Sequence, residues 1–145
     1  MDQGKKLRVL FLCYGNACRS QMAEGWARQL KGSLIEPESA GIIASGLSGR
    51  AERAMAEAGV DISGQQSNTL EEMRGRPYDW MVTLCPTAHR MCIPPEGARV
   101  VHVPFDDPYT LCFSIEGSEA EKEIFRRVRD EIKAFVDTLP EKLEQ

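Results

Sequence analysis

The apolar run Leu7-Arg8-Val9-Leu10-Phe11-Leu12 predicts a buried strand, and the chain turns out of it at Cys13. Met22, Ala23, Trp26, Ala27 and Leu30 then recur at helical spacing, which predicts a helix over roughly residues 19–31 with Gly32 as its C′ stop. The stretch Ser33 to Gly41 is a weaker strand, because Pro37 removes a ladder donor and favours an edge position. Ser48 caps a second helix whose Ala51, Ala54, Met55 and Ala58 share a face and which Gly59 ends. Thr69-Leu70-Glu71-Glu72 has capping-box form for a short helix stopped before Pro77. Tyr78 to Leu84 reads as a buried strand running into Cys85. The segment Pro86 to Pro95, a loop or weak helical turn, carries His89 and Cys92; Ala98 to Val103 is another strand. A long final helix opens with a capping box at Ser118 and Glu121, and Ile124, Val128, Ile132, Phe135, Val136 and Leu139 form its apolar stripe. Arg126, Arg127 and Arg129 flank that stripe as a solvated face paired with Glu123, Asp130 and Glu131.

Strands alternating with helices imply an α/β fold: a four-stranded parallel sheet covered by helices on both faces, three layers in one domain over residues 1–145. Sites in such sheets gather at the carboxyl ends of the strands. The loop after Cys13, Cys85 and the Asp106-Asp107-Pro108 segment all follow strands, so they are expected to converge.

Composition narrows the partners. Net charge is −4 with both signs interspersed, which gives no nucleic-acid footprint and no membrane-surface patch. The N-terminal residues 1–6 lead into an apolar run of six with no cleavage-site pattern, and no later segment approaches spanning length, so a cytoplasmic protein is expected. Five cysteines in a reducing compartment argue for chemistry or metal rather than a disulfide framework.

That chemistry centres on Cys13-Tyr14-Gly15-Asn16-Ala17-Cys18-Arg19-Ser20, a loop between strand and helix. Backbone N–H groups of such a loop converge on one point, the helix N-terminus adds partial positive charge, and Arg19 can grip a tetrahedral oxyanion in bidentate fashion. The same setting favours the thiolate of Cys13, and Ser20 is placed to donate a hydrogen bond to it. A cysteine after a strand is more often an inert buried hydrophobe. Gly15 and Asn16 in the turn, with Ser20 behind Arg19, point instead to a nucleophile facing a bound anion.

Cys13 to Ser20 followed by Gln21-Met22-Ala23-Glu24-Gly25-Trp26 resembles the thioredoxin-coupled arsenate reductases, built on the low-molecular-weight protein tyrosine phosphatase fold. Further matching stretches are Ser39-Ala40-Gly41, Val82 to Cys85 with Cys92 seven positions on, Phe105 to Pro108, and Phe125 to Ile132. The resemblance implies that Cys13 is the nucleophile, Arg19 the oxyanion clamp, Asp107 the general acid, and Cys85 and Cys92 a redox pair reset by thioredoxin. Tyr14, Gly15, Asn16, Ala17, Cys18, Arg19 and Ser20 would form the anion cradle, taking arsenate, with phosphate or sulfate as competitors. It implies no bound cofactor. Some relatives hold potassium through the equivalents of Asn16, Glu24, Ser39 and an Asp, but Asn68 stands at the Asp position, so no metal site is expected.

Two departures lie in the loop, where the family's usual Thr and second Ser are here Tyr14 and Ala17. Tyr109 to Glu116 is unlike the usual reductase sequence, and Asp107-Pro108-Tyr109 resembles the phosphatases, whose aromatics embrace a phenyl ring. Hydrolysis of phosphate monoesters through phosphocysteine is therefore the alternative activity. A metal or redox-sensing module using the cysteines is a third reading, though spacings of four and six residues suit structural zinc poorly. Cys18 reads as core packing or support, Cys112 as incidental or oxidation-prone, His89 as a surface residue and His102 as a strand residue. Asp106 rivals Asp107 as the acid, but only Asp107 has a proline behind it.

Overall fold

In the computed structural model, which describes residues 5–144, strand β1 (Leu7–Cys13) passes through the loop 14–18 into helix α1 (Arg19–Lys31). The residues 1–4 read for a leader lie outside the described residues, as does Gln145. There follow β2 (Ile35–Gly41), α2 (Gly49–Glu57), α3 (Leu70–Met73), β3 (Trp80–Thr83), α4 (Pro86–Met91), β4 (Arg99–His102), α5 (Pro108–Leu111) and α6 (Glu119–Val136), then a 3-10 turn at Glu141–Glu144. The strands pair in parallel in the order β2-β1-β3-β4.

The pattern explains the layers. Side chains alternate across a strand, and Val9 and Phe11 pack with Met22, Trp26, Met55, Phe125, Val128 and Ile132 from α1, α2 and α6. Leu10 and Leu12 pack on the opposite face with Leu70, Met73, Met81 and Ala88, where α3 and α4 lie. Burying each such side chain contributes about 1.5–3 kcal/mol, so β1, covered on both faces, anchors the sheet. β2 is an edge strand, as Pro37 requires; its proline sits in register with Val9.

Several local expectations need correction. Gly32 caps α1 with right-handed φ of −60°, so it is not a left-handed C′ residue; a Cβ there would stand 2.6 Å from the Arg28 carbonyl oxygen. Gly59, with φ of +84°, does take the left-handed position after α2, but Ala58 is exposed at the cap and leaves the apolar face. Thr69 and Glu72 form a complete capping box. Ser118 caps α6, but Glu121 turns inward to pair with Arg50 at 3.3 Å, leaving half a box. Phe125 is buried in the α6 stripe, whereas Ile124 and Phe135 are only partly covered. The α6 arginines make the expected pairs, Arg126 with Glu123, Arg127 with Glu131 and Arg129 with Asp130, and they also reach beyond their helix: Arg126 pairs with Glu57, Arg127 with Asp106, and Arg129 donates to the Ala54 carbonyl. No described helix is long and apolar enough to cross a membrane.

Candidate active site

The loop after β1 is turned inside out by its neighbours. The carbonyls of Cys13, Tyr14, Gly15 and Ala17 accept backbone N–H groups from Ile42, Ile43, Ser45 and Ser48, and the Asn16 carbonyl accepts from the Gln21 amide and the Ser67 hydroxyl. Among the described residues no protein acceptor meets the backbone N–H groups of Gly15 to Arg19. With every carbonyl directed outward, those donors are left for a ligand at the N-terminus of α1. Asn16 makes this possible by adopting φ of +48°, and its side-chain oxygen accepts the Asn68 N–H at 2.7 Å. Gly41 lets the chain close behind the loop: a Cβ there would lie 2.6 Å from the Asn16 nitrogen and 2.7 Å from the Tyr14 oxygen.

Cys13 lies at the end of β1, 3% exposed, with its Sγ 2.8 Å from Ser20 Oγ. Asn16 Nδ2 donates to Ser20 Oγ at 2.9 Å and to Ser39 Oγ at 3.0 Å, which leaves the Ser20 proton available to a Cys13 thiolate. Ser39 in turn donates to Glu24 Oε1 at 2.5 Å, while Glu24 Oε2 meets Arg28 Nη2 at 2.6 Å. A guanidinium thus stands against the carboxylate at the far end of the chain of hydrogen bonds.

Arg19 donates through Nη1 to the Phe105 carbonyl at 3.0 Å and holds Nη2 3.9 Å from Asp107 Oδ2. Asp107 caps α5, accepting from the Tyr109 N–H and the Thr110 hydroxyl, both at 3.0 Å. The sequence pattern does not announce this short helix, which fixes the origin of the Asp107 carboxylate. Asp106 lines the neighbouring cleft but has its carboxylate 3.3 Å from Arg127 rather than against Arg19. The Tyr109 hydroxyl bonds the α2 cap Ser48, and its ring lines a hollow with Cys13, Tyr14, Gly15, Ala17, Cys18, Arg19 and Asp107.

Cys85 follows β3 and lines an adjoining cleft with Tyr14, Arg19, Pro86, Phe105 and Asp107. The two depressions share Tyr14, Arg19 and Asp107, so Cys13 and Cys85 open on one surface. Cys85 is the N-cap of α4 and Cys92 its C-cap, so the cysteines bracket a full helix rather than a loop. Cys92 is part-exposed, donates weakly to the His89 carbonyl, and has its thiol pKa raised by desolvation.

The remaining cysteines are sealed. Cys18 is 6% exposed, and burial, with the charge of Cys13 next, pushes its thiol well above the ordinary range. Cys112 has no exposed surface, which favours the incidental over the oxidation-prone of its two readings. His102 lies on β4 and His89 is exposed, both as expected, and the two rings also stack at 4.3 Å and share Thr83. Among the described residues no group of three or more His, Cys, Asp or Glu side chains is arranged to hold a metal ion.

Ser45, Ser48 and Ser67 carry no sequence signal for a role in the loop, whereas Gln21 and Gly41 lie in the matching stretches Gln21 to Trp26 and Ser39-Ala40-Gly41.

Comparison with known proteins places this geometry. The sequence is 44% identical over 135 residues to an arsenate reductase of Halalkalibacterium halodurans, covering 92% of this chain and 94% of that protein. It is 45% identical over 136 residues to one of Bacillus subtilis, covering 90% and 95%. A solved arsenate reductase in the phosphate-binding state superposes with a TM-score of 0.72 at 33% identity, covering 92% of this chain and 95% of that one. A low molecular weight protein tyrosine phosphatase from T. tengcongensis superposes with a TM-score of 0.74 at 27% identity, covering 94% and 99%. Residues 8–145 match the family described as low molecular weight phosphotyrosine protein phosphatase, and the chain belongs to that family.

Proposed function

We propose that the protein reduces arsenate to arsenite by thiolate attack and an internal disulfide relay. The observation that carries the reading is Cys85 opening beside Cys13 and Arg19 on one surface, with Cys92 at the other end of α4. A hydrolase needs no second and third thiol there. The identity with arsenate reductases over nine-tenths of the chain supports the same substrate.

In the first step arsenate sits on the inward N–H groups, clamped by Arg19. The Cys13 thiolate attacks arsenic, Asp107 protonates an arsenate oxygen that leaves as water, and a Cys13–arsenic(V) bond forms. The Cys85 thiolate then attacks Cys13 Sγ. The sulfur–arsenic bond breaks with its electron pair going to arsenic, which leaves as arsenite while a Cys13–Cys85 disulfide forms. Cys92 attacks Cys85 Sγ next, releasing the Cys13 thiolate and leaving a Cys85–Cys92 disulfide. Thioredoxin, a dithiol, reduces that bond. All steps use the chain's own groups and one external reductant, with no resident metal or cofactor, in the reducing cytoplasm.

The last exchange requires α4 to unwind. A helical rise of 1.5 Å per residue puts the Cα atoms of its two caps roughly 10 Å apart, whereas a disulfide tolerates less than about 7 Å. Mass spectrometry of the Cys92→Ser variant after arsenate addition tests the relay. A Cys13–Cys85 disulfide with one equivalent of arsenite is expected; free thiols and no arsenite would overturn it.

Tyr109 at the mouth of the hollow favours a second activity, phosphate-monoester hydrolysis, in which Asp107 protonates the leaving oxygen and water releases phosphocysteine. Cys85→Ser discriminates: arsenate turnover is expected to vanish while ester cleavage persists.

A further inference from the structure

α4 is fastened to the sheet by a contact that the oxyanion chemistry does not use. Thr83 Oγ1, buried at the end of β3, lies 2.8 Å from His89 Nδ1 on α4 and 2.9 Å from His102 Nδ1 on β4. The two imidazoles stack with centroids 4.3 Å apart and planes inclined by 22°. One hydroxyl carries one proton, so Thr83 can donate to only one ring. His102 Nδ1 also lies 3.2 Å from the Thr83 carbonyl, which only accepts; His102 therefore carries the Nδ1 proton. With the His102 proton shared between the Thr83 carbonyl and hydroxyl, the hydroxyl's own proton faces His89 Nδ1 at 2.8 Å and the Val101 carbonyl at 3.4 Å, and Thr83 bridges β4 through β3 to the helix. At the same turn the Cys92 amide donates to the Ala88 carbonyl and its thiol to the His89 carbonyl.

We propose that His89, through Thr83 and His102, is a positioning residue that latches α4 in its helical, reduced form and so sets how readily Cys92 leaves to join Cys85. The proposal rests on the disulfide relay above. When the Cys92 thiolate attacks Cys85 Sγ and α4 unwinds, the peptide bearing His89 leaves the sheet, and the bridge exists only before the exchange. A contact made in one state alone shifts the equilibrium by its own contribution, a few-fold for one hydrogen bond and a stack. The latch thereby lowers the population in which Cys92 is free to reach Cys85, and favours its return to the helix after reduction.

The test uses the full chain with Cys13→Ser, so that only Cys85 and Cys92 exchange, equilibrated with reduced and oxidised dithiothreitol and read by mass spectrometry. His89→Asn removes the ring at nearly unchanged helix propensity, and Thr83→Val removes the bridging hydroxyl without touching α4. Either change is expected to favour the Cys85–Cys92 disulfide by about three- to tenfold, equivalent to about 14–30 mV. The double variant should gain no more than either single one, and Cys92 amide exchange in the reduced protein should quicken by the same factor. A disulfide that forms equally in all variants would overturn the latch alone. No Cys85–Cys92 disulfide in any protein would overturn the relay and the latch with it.

Discussion

In the proposed reaction Ser20 and Arg19 serve different partners of the first step. Ser20 Oγ lies 2.8 Å from the sulfur while accepting from Asn16, and Arg19 would take the substrate's charge. Arg19→Ala should leave a folded protein with kcat/KM for arsenate lowered about 10²–10³-fold, as for loss of an oxyanion donor; steady-state kinetics with a near-normal value would contradict the clamp. Cys18 makes a different prediction. Burial raises its folded pKa above the unfolded thiol value of about 8.5. The unfolded chain then binds fewer protons above that pH, so stability is full below it and falls as pH rises. Urea midpoints should drop between neutral pH and pH 10, and Cys18→Ala should flatten that drop. Cys13, Arg19 and Ser20 were legible because the chain writes them contiguously. The groups that turn the loop carbonyls outward lie on the 42–48 segment and at Ser67, where only the fold brings them together.

At the scale of elements, the loop's shape depends on β2 as much as on β1. Gly41 ends β2 where a side chain would collide with Asn16, Tyr14 and Ile43. Gly41→Ala should cost about 1–3 kcal/mol by overcrowding, and weaken phosphate binding together with stability. Equal phosphate affinity by calorimetry would show that the loop does not need that close approach. α4 illustrates what periodicity misses. Six residues opened by Pro86 carry too little pattern to distinguish helix from loop, and the caps are the two cysteines, neither a capping side chain. α5 was hidden for the same reason, its cap being the proposed acid. Because desolvation raises the Cys92 pKa, little thiolate is present near neutrality and each rise in pH supplies more. Transfer of the disulfide from Cys13–Cys85 to Cys92 should therefore accelerate with pH and keep rising past pH 8.5, as quenched-flow alkylation would reveal. A plateau below that pH would contradict the assignment.

For the whole molecule, the long periodic elements declared themselves: β1, α1 and α6 lie nearly where their patterns put them, and parallel order follows from alternation. Parallel strands bring the anion loop, Cys85 and Asp107 to one edge of the sheet, which turns three distant sequence segments into one surface. Oxyanion capture alone would serve a phosphatase as well as a reductase. What separates the two is whether a second thiol releases Cys13, and whether a third then passes the disulfide outward. The most direct measurement is NADPH consumption by the protein with arsenate, thioredoxin and thioredoxin reductase, run beside its Cys92→Ser variant. Sustained arsenate-dependent consumption by the unmodified protein, and no more than a single turnover by the variant, is the expected result. Continued turnover by the variant, or no arsenate-dependent consumption by a protein that still cleaves phosphate esters, would contradict the account.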